Sequence, residues 1–306
     1  MSQHTIFAPI THSKHGDRLR WGNLSGSASS LAVVNAAQQG DSLTVLITND
    51  TASAFQLEQE LRFYRDGLEV LHLPDWETLP YDSFSPHEDI ISERLTTLHK
   101  LKNMHKGLLI VPISTLMHRL LPQSYLDAHT LQIQLGETFD IATMRSKFEA
   151  SGYRCVDTVY EHGEFALRGA IMDIYPMGSK LPYRIDLLGD EIDTLRTFDP
   201  ETQRTVKQVQ EINLLPGKEF PLDKDGIANF RNNWHQAFDV DHSRCPIYQD
   251  VSQGIAPAGI EYYLPLFFDH CSTLFDYLPN DRTFLARPTH TLRRHEYRSA
   301  AAVTHS

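Results

Sequence analysis

Tyr183–Phe198 reads YRIDLLGDEIDTLRTF. Apolar and polar residues alternate on either side of Gly189-Asp190-Glu191. Alternation at period two predicts half-buried strands, and a Gly-Asp pair between such runs predicts a hairpin. In the first run Tyr183, Ile185 and Leu187 share the core face, while Arg184, Asp186 and Leu188 share the other. Leu188 is therefore an apolar residue on an otherwise polar face. Just upstream, Phe165–Tyr175 (FALRGAIMDIY) reads as one strand stopped by Pro176, with Arg168 in step with Ala170, Met172 and Ile174. Before it, Ile141–Ser151 has helical character and ends near Gly152. Residues 125–212 are thus expected to form a small, mainly antiparallel β-rich α+β domain carrying one helix.

Residues 1–124 have a different grammar. Ser42–Thr48 (SLTVLIT), Leu68–Leu73 (LEVLHL) and Leu108–Val111 (LLIV) are short apolar runs expected as strands. Ala54–Phe63 places Phe55, Leu57 and Leu61 at helical spacing, and Asp89–Leu101 aligns Ile91, Leu95, Leu98 and Leu101. Strands alternating with amphipathic helices predict a parallel sheet with crossover helices. Residues 213–285 are punctuated by Pro216, Pro221, Pro257 and Pro265, with a helix expected over Ile227–Phe238. Leu264, Leu266, Phe267 and Phe268 are apolar enough to pack onto the first segment. Residues 286–306 are basic and poor in large apolar residues, and are expected to be a disordered tail.

Composition narrows the function. The chain has 306 residues, 41% of them hydrophobic, which suffices for real cores. Lys and Arg total 28 against 39 Asp and Glu, a net charge of −11 that argues against a dedicated nucleic-acid binder. Cys155, Cys245 and Cys271 form neither a disulfide framework nor a Cys-x-x-Cys pair, so a reducing cytoplasm is the expected compartment. No secretory leader or membrane-spanning run is visible, so no membrane partner is expected.

Gly22–Ser29 reads GNLSGSAS ahead of a helix-like stretch. A phosphate loop, G-x-x-x-x-G-K-[ST], needs glycines so that backbone amides reach the phosphates. It needs Lys to neutralise the β/γ-phosphates and a hydroxyl to hold Mg²⁺. Gly22 matches the first glycine, but Ser27 stands at the second, Ala28 in the Lys slot and Ser29 in the Ser/Thr slot. The segment is either a decayed phosphate loop or simply a Gly/Ser-rich helix entry; both predict no ATPase and no nucleotide cofactor. The acids Asp190, Glu191 and Asp193 fit a solvated hairpin tip better than a metal site. His12, His15, His290 and His295 lack a companion ligand set, and no G-x-S-x-G occurs. No catalytic residue, metal ligand or cofactor is expected.

If the strands bearing Arg168 and Arg184 are neighbours, the two guanidinium groups stand beside Leu188. Arginines around an apolar anchor have the composition of a protein–protein hot spot. The alternative is that both arginines pair locally with Asp173, Asp186 or Glu191.

Three blocks resemble a known family. LPDWETLPYDSFSPHEDIISERLTTLHKL (Leu73–Leu101), EHGEFALRGAIMDIYPMGSKLPYRIDLLGDEIDTLRTFD (Glu161–Asp199) and PAGIEYYLPLFFD (Pro257–Asp269) are similar to the N-terminal region of the bacterial transcription-repair coupling factors, Mfd. The R-G-x-x-x-D-I-[YF]-P pattern and the hairpin also resemble the matching domain of the excision-repair subunit UvrB. The resemblance covers residues 5–285. It implies a degenerate, helicase-like α/β domain in two pieces, 1–124 and 213–285, interrupted by a UvrA-binding domain at 125–212. It also implies that the phosphate loop is decayed, as Ala28 indicates.

Pro74–Glu88 is too short for the DNA-clamping hairpin of UvrB, so weak or no direct DNA binding is expected. The implied role is a non-enzymatic adaptor that binds UvrA, with Arg168, Arg184 and Leu188 on the contact surface. Leu188 departs from the aromatic residue expected there. Contact with RNA polymerase would run only through family domains beyond the matching residues. The alternative function is a nucleotide-dependent, damaged-DNA-binding repair protein like UvrB; Ala28 and the missing hairpin speak against it.

Overall fold

A computed structural model describes residues 6–7, 9, 16, 18–22, 24–64, 67–80 and 82–286. Among them run twelve strands: β1 Leu43–Thr48, β2 Val70–His72, β3 Gly107–Pro112, β4 Leu131–Gln134, β5 Arg154–Cys155, β6 Glu164–Arg168, β7 Ile171–Ile174, β8 Tyr183–Leu188, β9 Glu191–Phe198, β10 Thr205–Gln208, β11 Glu211–Leu214 and β12 Arg282–Ala286. The three longest helices of the first part are α1 (Ala28–Gln39), α2 (Thr51–Tyr64) and α3 (Glu88–Leu101). The chain is mixed α/β and divides into two units interleaved along the sequence. The first comprises residues up to Asp75, Lys100–Met117 and everything from Leu278; the second comprises Trp76–His99 and His118–Tyr277.

The first unit carries a four-stranded parallel sheet in the order β12-β1-β3-β2. All six residues of β3 are buried, which explains why it reads as an unbroken apolar run rather than an alternating one. Val33, Val34 and Ala37 of α1 and Ala54, Leu57 and Leu61 of α2 meet Leu46, Leu108 and Ile110 of the sheet. Phe55, which helical spacing aligns with Leu57 and Leu61, is instead half exposed; Ala54 takes the core position. β12 pairs in register with β1 from Leu43↔Arg282 to Ile47↔Ala286. Ala286 is therefore part of the sheet's backbone ladder, not the start of a tail. The expected disorder of 287–306 lies outside the described residues.

The second unit holds a six-stranded sheet, β10-β9-β8-β7-β6-β5, antiparallel except for the β5–β6 pair, and a two-stranded β11-β4 ribbon. The helix Ile141–Ala150 starts where Asp140 accepts a 3.0 Å hydrogen bond from the Thr143 amide. Its Phe148 packs with Phe165, Met172, Ile174, Ile185 and Leu195 on one face of the large sheet. Tyr183 and Leu187 pack against the same cluster, as the alternation predicts.

The single strand expected over Phe165–Tyr175 is a hairpin. β6 and β7 pair from Phe165↔Ile174 to Arg168↔Ile171 around a Gly169-Ala170 loop. Gly169 has φ +63°, a conformation that costs little only without a Cβ, so the chain reverses there rather than running on. Arg168 is thereby on the face opposite Met172 and Ile174, out of step with them.

The rest of the unit is helical. Phe220, Phe230, Trp234, Tyr248, Val251, Ile260 and Phe267 form a second, aromatic core. Leu264 and Phe267 are buried as expected, and the Phe267 ring lies 4.8 Å from that of Phe220 and 4.9 Å from that of Phe230. A third buried group lies near α3. Arg94 Nε donates to Glu219 Oε1 at 3.0 Å, Trp76 Nε1 donates to Glu219 Oε2 at 2.7 Å, and the Arg94 guanidinium lies 4.9 Å from the centre of the Trp76 ring. The three residues are 0–3% exposed, so a full ion pair and its donors are sealed from water.

Candidate protein-interaction face

The large sheet has one apolar face, already described, and one polar face. Cross-strand register writes the polar face as two rungs. The first runs Ala166–Asp173–Arg184–Arg196–Gln208 across β6 to β10, and the second runs Arg168–Ile171–Asp186–Thr194 across β6 to β9. Opposite residues on antiparallel strands have Cβ atoms about 4.5–5.5 Å apart, so Arg184 and Arg196 are like charges side by side.

Two carboxylates make that arrangement tolerable. Asp173 is fully buried and accepts both Nε and Nη2 of Arg184, at 2.7 and 2.8 Å. It also accepts from Arg168 Nη2. The bidentate bond and charge lift the Arg184 guanidinium further above its already high ordinary pKa. Asp186 accepts from Arg196 and, at 2.6 Å, from the Thr194 hydroxyl. The strands bearing Arg168 and Arg184 are not neighbours, since β7 lies between them; the two guanidinium groups meet on its Asp173, one of the local partners the sequence offers.

Arg184 also rests on an aromatic platform. Its guanidinium lies 4.7 Å from the centre of the Phe198 ring. Phe198 clusters with Ala166 and Val159, a small apolar island on the polar face. Gln203 closes the edge: its side-chain amide donates to Val159 O at 3.1 Å and Pro200 O at 2.7 Å. Phe198, Arg196 and Gln203 were not singled out from sequence. Period-two spacing does place Arg196 opposite Arg184 once the hairpin register is drawn, but the ring contact has no sequence signal.

Leu188 stands at the tip of the β8–β9 hairpin, 75% exposed. Gly189, at φ +66°, opens the two-residue loop that follows. The β6–β7 loop lies at the same end of the sheet, since Leu187 N donates to Ala170 O at 2.9 Å. The end of β6 bearing Arg168 and the exposed Leu188 thus share one end of one sheet. Asp190, Glu191 and Asp193 are exposed at the same tip as Leu188.

The other singled-out residues lie in the first unit. Ser27 precedes α1, Ala28 is its first residue, and Ser29 Oγ donates to Gly26 O at 3.1 Å. Gly22 is exposed backbone ahead of it. Among the described residues no cluster of three or more His, Cys, Asp or Glu can hold a metal ion, and no helix is long and apolar enough to cross a membrane. His12, His15, His290 and His295 lie outside the described residues.

Residues 131–220, which hold this face, match the UvrB interaction domain. Over longer stretches the chain is similar to proteins named transcription-repair-coupling factor. It is 48% identical to that of Escherichia coli K12 over 267 residues, 87% of this chain and 23% of the relative. It is 46% identical to that of Haemophilus influenzae over 285 residues, 92% of this chain and 24% of the relative. A third, from Rickettsia prowazekii, is 34% identical over 77% of this chain. The chain thus spans about a quarter of the length of the two most similar of these relatives. It carries a match to the UvrB interaction domain, and it is homologous to about a quarter of the length of transcription-repair-coupling factors.

Proposed function

We propose that this chain is a non-enzymatic adaptor module that binds UvrA through the polar face of its UvrB interaction domain and brings excision repair to stalled transcription in the cytoplasm. One observation carries the reading. Within that domain two guanidinium groups converge on a buried carboxylate on the polar face of a sheet whose hairpin tip carries an exposed leucine. Arginine fixed by a bidentate bond presents its remaining donors in one orientation, and an exposed apolar side chain at the end of the same strand supplies desolvated area.

Calorimetric titration with purified UvrA tests it. The parent chain is expected to bind, and Arg168→Ala and Arg184→Ala are each expected to lose about 2–5 kcal/mol while still unfolding cooperatively. A folded parent that gives no heat of binding overturns the proposal.

The same reading takes Gly22–Ser29 as a decayed phosphate loop in a helicase-like α/β domain. Without a lysine at position 28 no charge meets the β/γ-phosphates. Titration with a fluorescent ATP analogue is expected to show no saturable binding; saturation would favour a nucleotide-dependent protein like UvrB instead. RNA polymerase is proposed to be reached only through parts of the longer relatives that this chain does not match.

A further inference from the structure

Arg168 and Arg184 are held very differently. The Arg184 side chain is 17% exposed and meets Asp173 through two nitrogens, the Phe198 ring beneath it, and Gln203 at 3.5 Å. The Arg168 side chain is 49% exposed and meets Asp173 through Nη2. One fully buried carboxylate therefore sets the position of both. Since Asp173 sits between Ala166 and Arg184 in the ladder, its backbone is fixed by pairing on both sides.

We propose that Asp173 and Phe198 are positioning residues of this face: they lock Arg184 in place and hold one edge of Arg168, so that the remaining N–H groups of the two guanidinium groups are presented together to a carboxylate on the partner. The inference rests on the adaptor reading above. It keeps Arg168, Arg184 and Leu188 as the contact and adds Asp173 and Phe198 as the residues that hold the two arginines in place. Without Asp173 both arginines become long, freely rotating cations, and each must be ordered at the moment of binding. Arg184 would also lose the counter-charge that offsets its neighbour Arg196. A carboxylate partner follows from the donors that remain: a planar fork of N–H groups with no acceptor.

The experiment compares the parent chain with Asp173→Asn, Phe198→Leu and, as an off-face control, Glu219→Gln. Two quantities are read: affinity for purified UvrA at two salt concentrations, and hydrogen exchange at the Arg184 Nε–H by NMR without any partner. In the parent the Arg184 Nε–H is expected to be protected. In Asp173→Asn, whose amide offers one acceptor oxygen instead of two, protection is expected to fall. Affinity is expected to drop at least about tenfold, with a flatter salt dependence because the charges are no longer presented together. Phe198→Leu is expected to show a smaller loss of the same kind, and it carries the test if Asp173→Asn does not fold. Glu219→Gln destabilises the unit away from this face, and its affinity is expected to stay within twofold of the parent.

Unchanged affinity in folded Asp173→Asn or Phe198→Leu overturns the inference while leaving the adaptor reading intact. An equal loss in Glu219→Gln overturns it too, because the effect is then general destabilisation. A parent that does not bind UvrA overturns the adaptor reading and, with it, the assignment of the contact. An unprotected Arg184 Nε–H in the parent overturns the positioning role whatever the binding result.

Discussion

Buried and half-buried carboxylates carry the sharpest consequences at the scale of single residues. Glu219 balances Arg94 where no water reaches either charge. Removing one partner of a sealed pair leaves the other without compensation, which typically costs about 3–5 kcal/mol. Glu219→Ala is therefore expected to lower the unfolding free energy by about that amount in urea titration, more than Glu219→Gln does. Glu164 and Glu261 are expected to move stability in opposite directions with pH. Burial raises the Glu164 carboxyl, but the Tyr160 and Glu161 amides and the Arg154 guanidinium outweigh burial and hold it below the ordinary value. A lowered folded value means a stabilising contribution that is present above the unfolded pKa, about 4.3, and lost as pH falls through the folded one. Burial pushes the Glu261 carboxyl up, so ionising it subtracts stability as pH rises from the unfolded value through the folded one. Thermal unfolding across pH 3–7 is the check. Glu164→Gln is expected to narrow its deficit toward acid, and Glu261→Gln to gain relative to the parent toward neutrality.

Hairpin loops decide the face at the scale of elements. Nothing lies within 4 Å of a Cβ built on Gly169 or Gly189, so a side chain there meets only the cost of positive φ. For a β-branched residue that cost is about 1–2 kcal/mol. Gly189→Val is expected to lose that much stability in chemical denaturation, and Gly189→Asn clearly less, since Asn adopts the left-handed region more readily. The β6–β7 hairpin also shows where pattern reading stops. Arg168-Gly169-Ala170 interrupts an apolar run by a single polar residue, too little to distinguish a continuing strand from a two-residue reversal. Only the ladder, with Arg168 opposite Ile171, distinguishes them. By contrast α3 was legible to within one residue, because Ile91, Leu95, Leu98 and Leu101 repeat at helical spacing and all four are buried.

Charge governs behaviour at the scale of the whole molecule. A net charge of −11 repels the phosphate backbone, and the three arginines of the polar face are matched with Asp173 and Asp186. Ordinary non-specific DNA binding has a dissociation constant of about 10⁻⁴–10⁻⁶ M at physiological salt and depends on released counterions. Fluorescence anisotropy with a labelled duplex is expected to show no binding stronger than that range at physiological salt. A tighter, salt-dependent complex would favour the DNA-binding alternative.

The amino-acid order by itself determined the helices and strands with strong periodicity, the β8–β9 hairpin, the resemblance to the coupling factors and the placing of Arg184 and Leu188 on a polar face. Each of these rests on neighbours close in sequence, or on long blocks specific enough to recognise. Tertiary structure alone decided that Arg168 and Arg184 share Asp173, that Phe198 lies under Arg184, and that Arg282–Ala286 completes the sheet beside β1. The reason is physical. A side chain's face is a local property with period two, but its partner is set by which strands pair and in which register. In the case of β12 that pairing joins residues more than 200 positions apart.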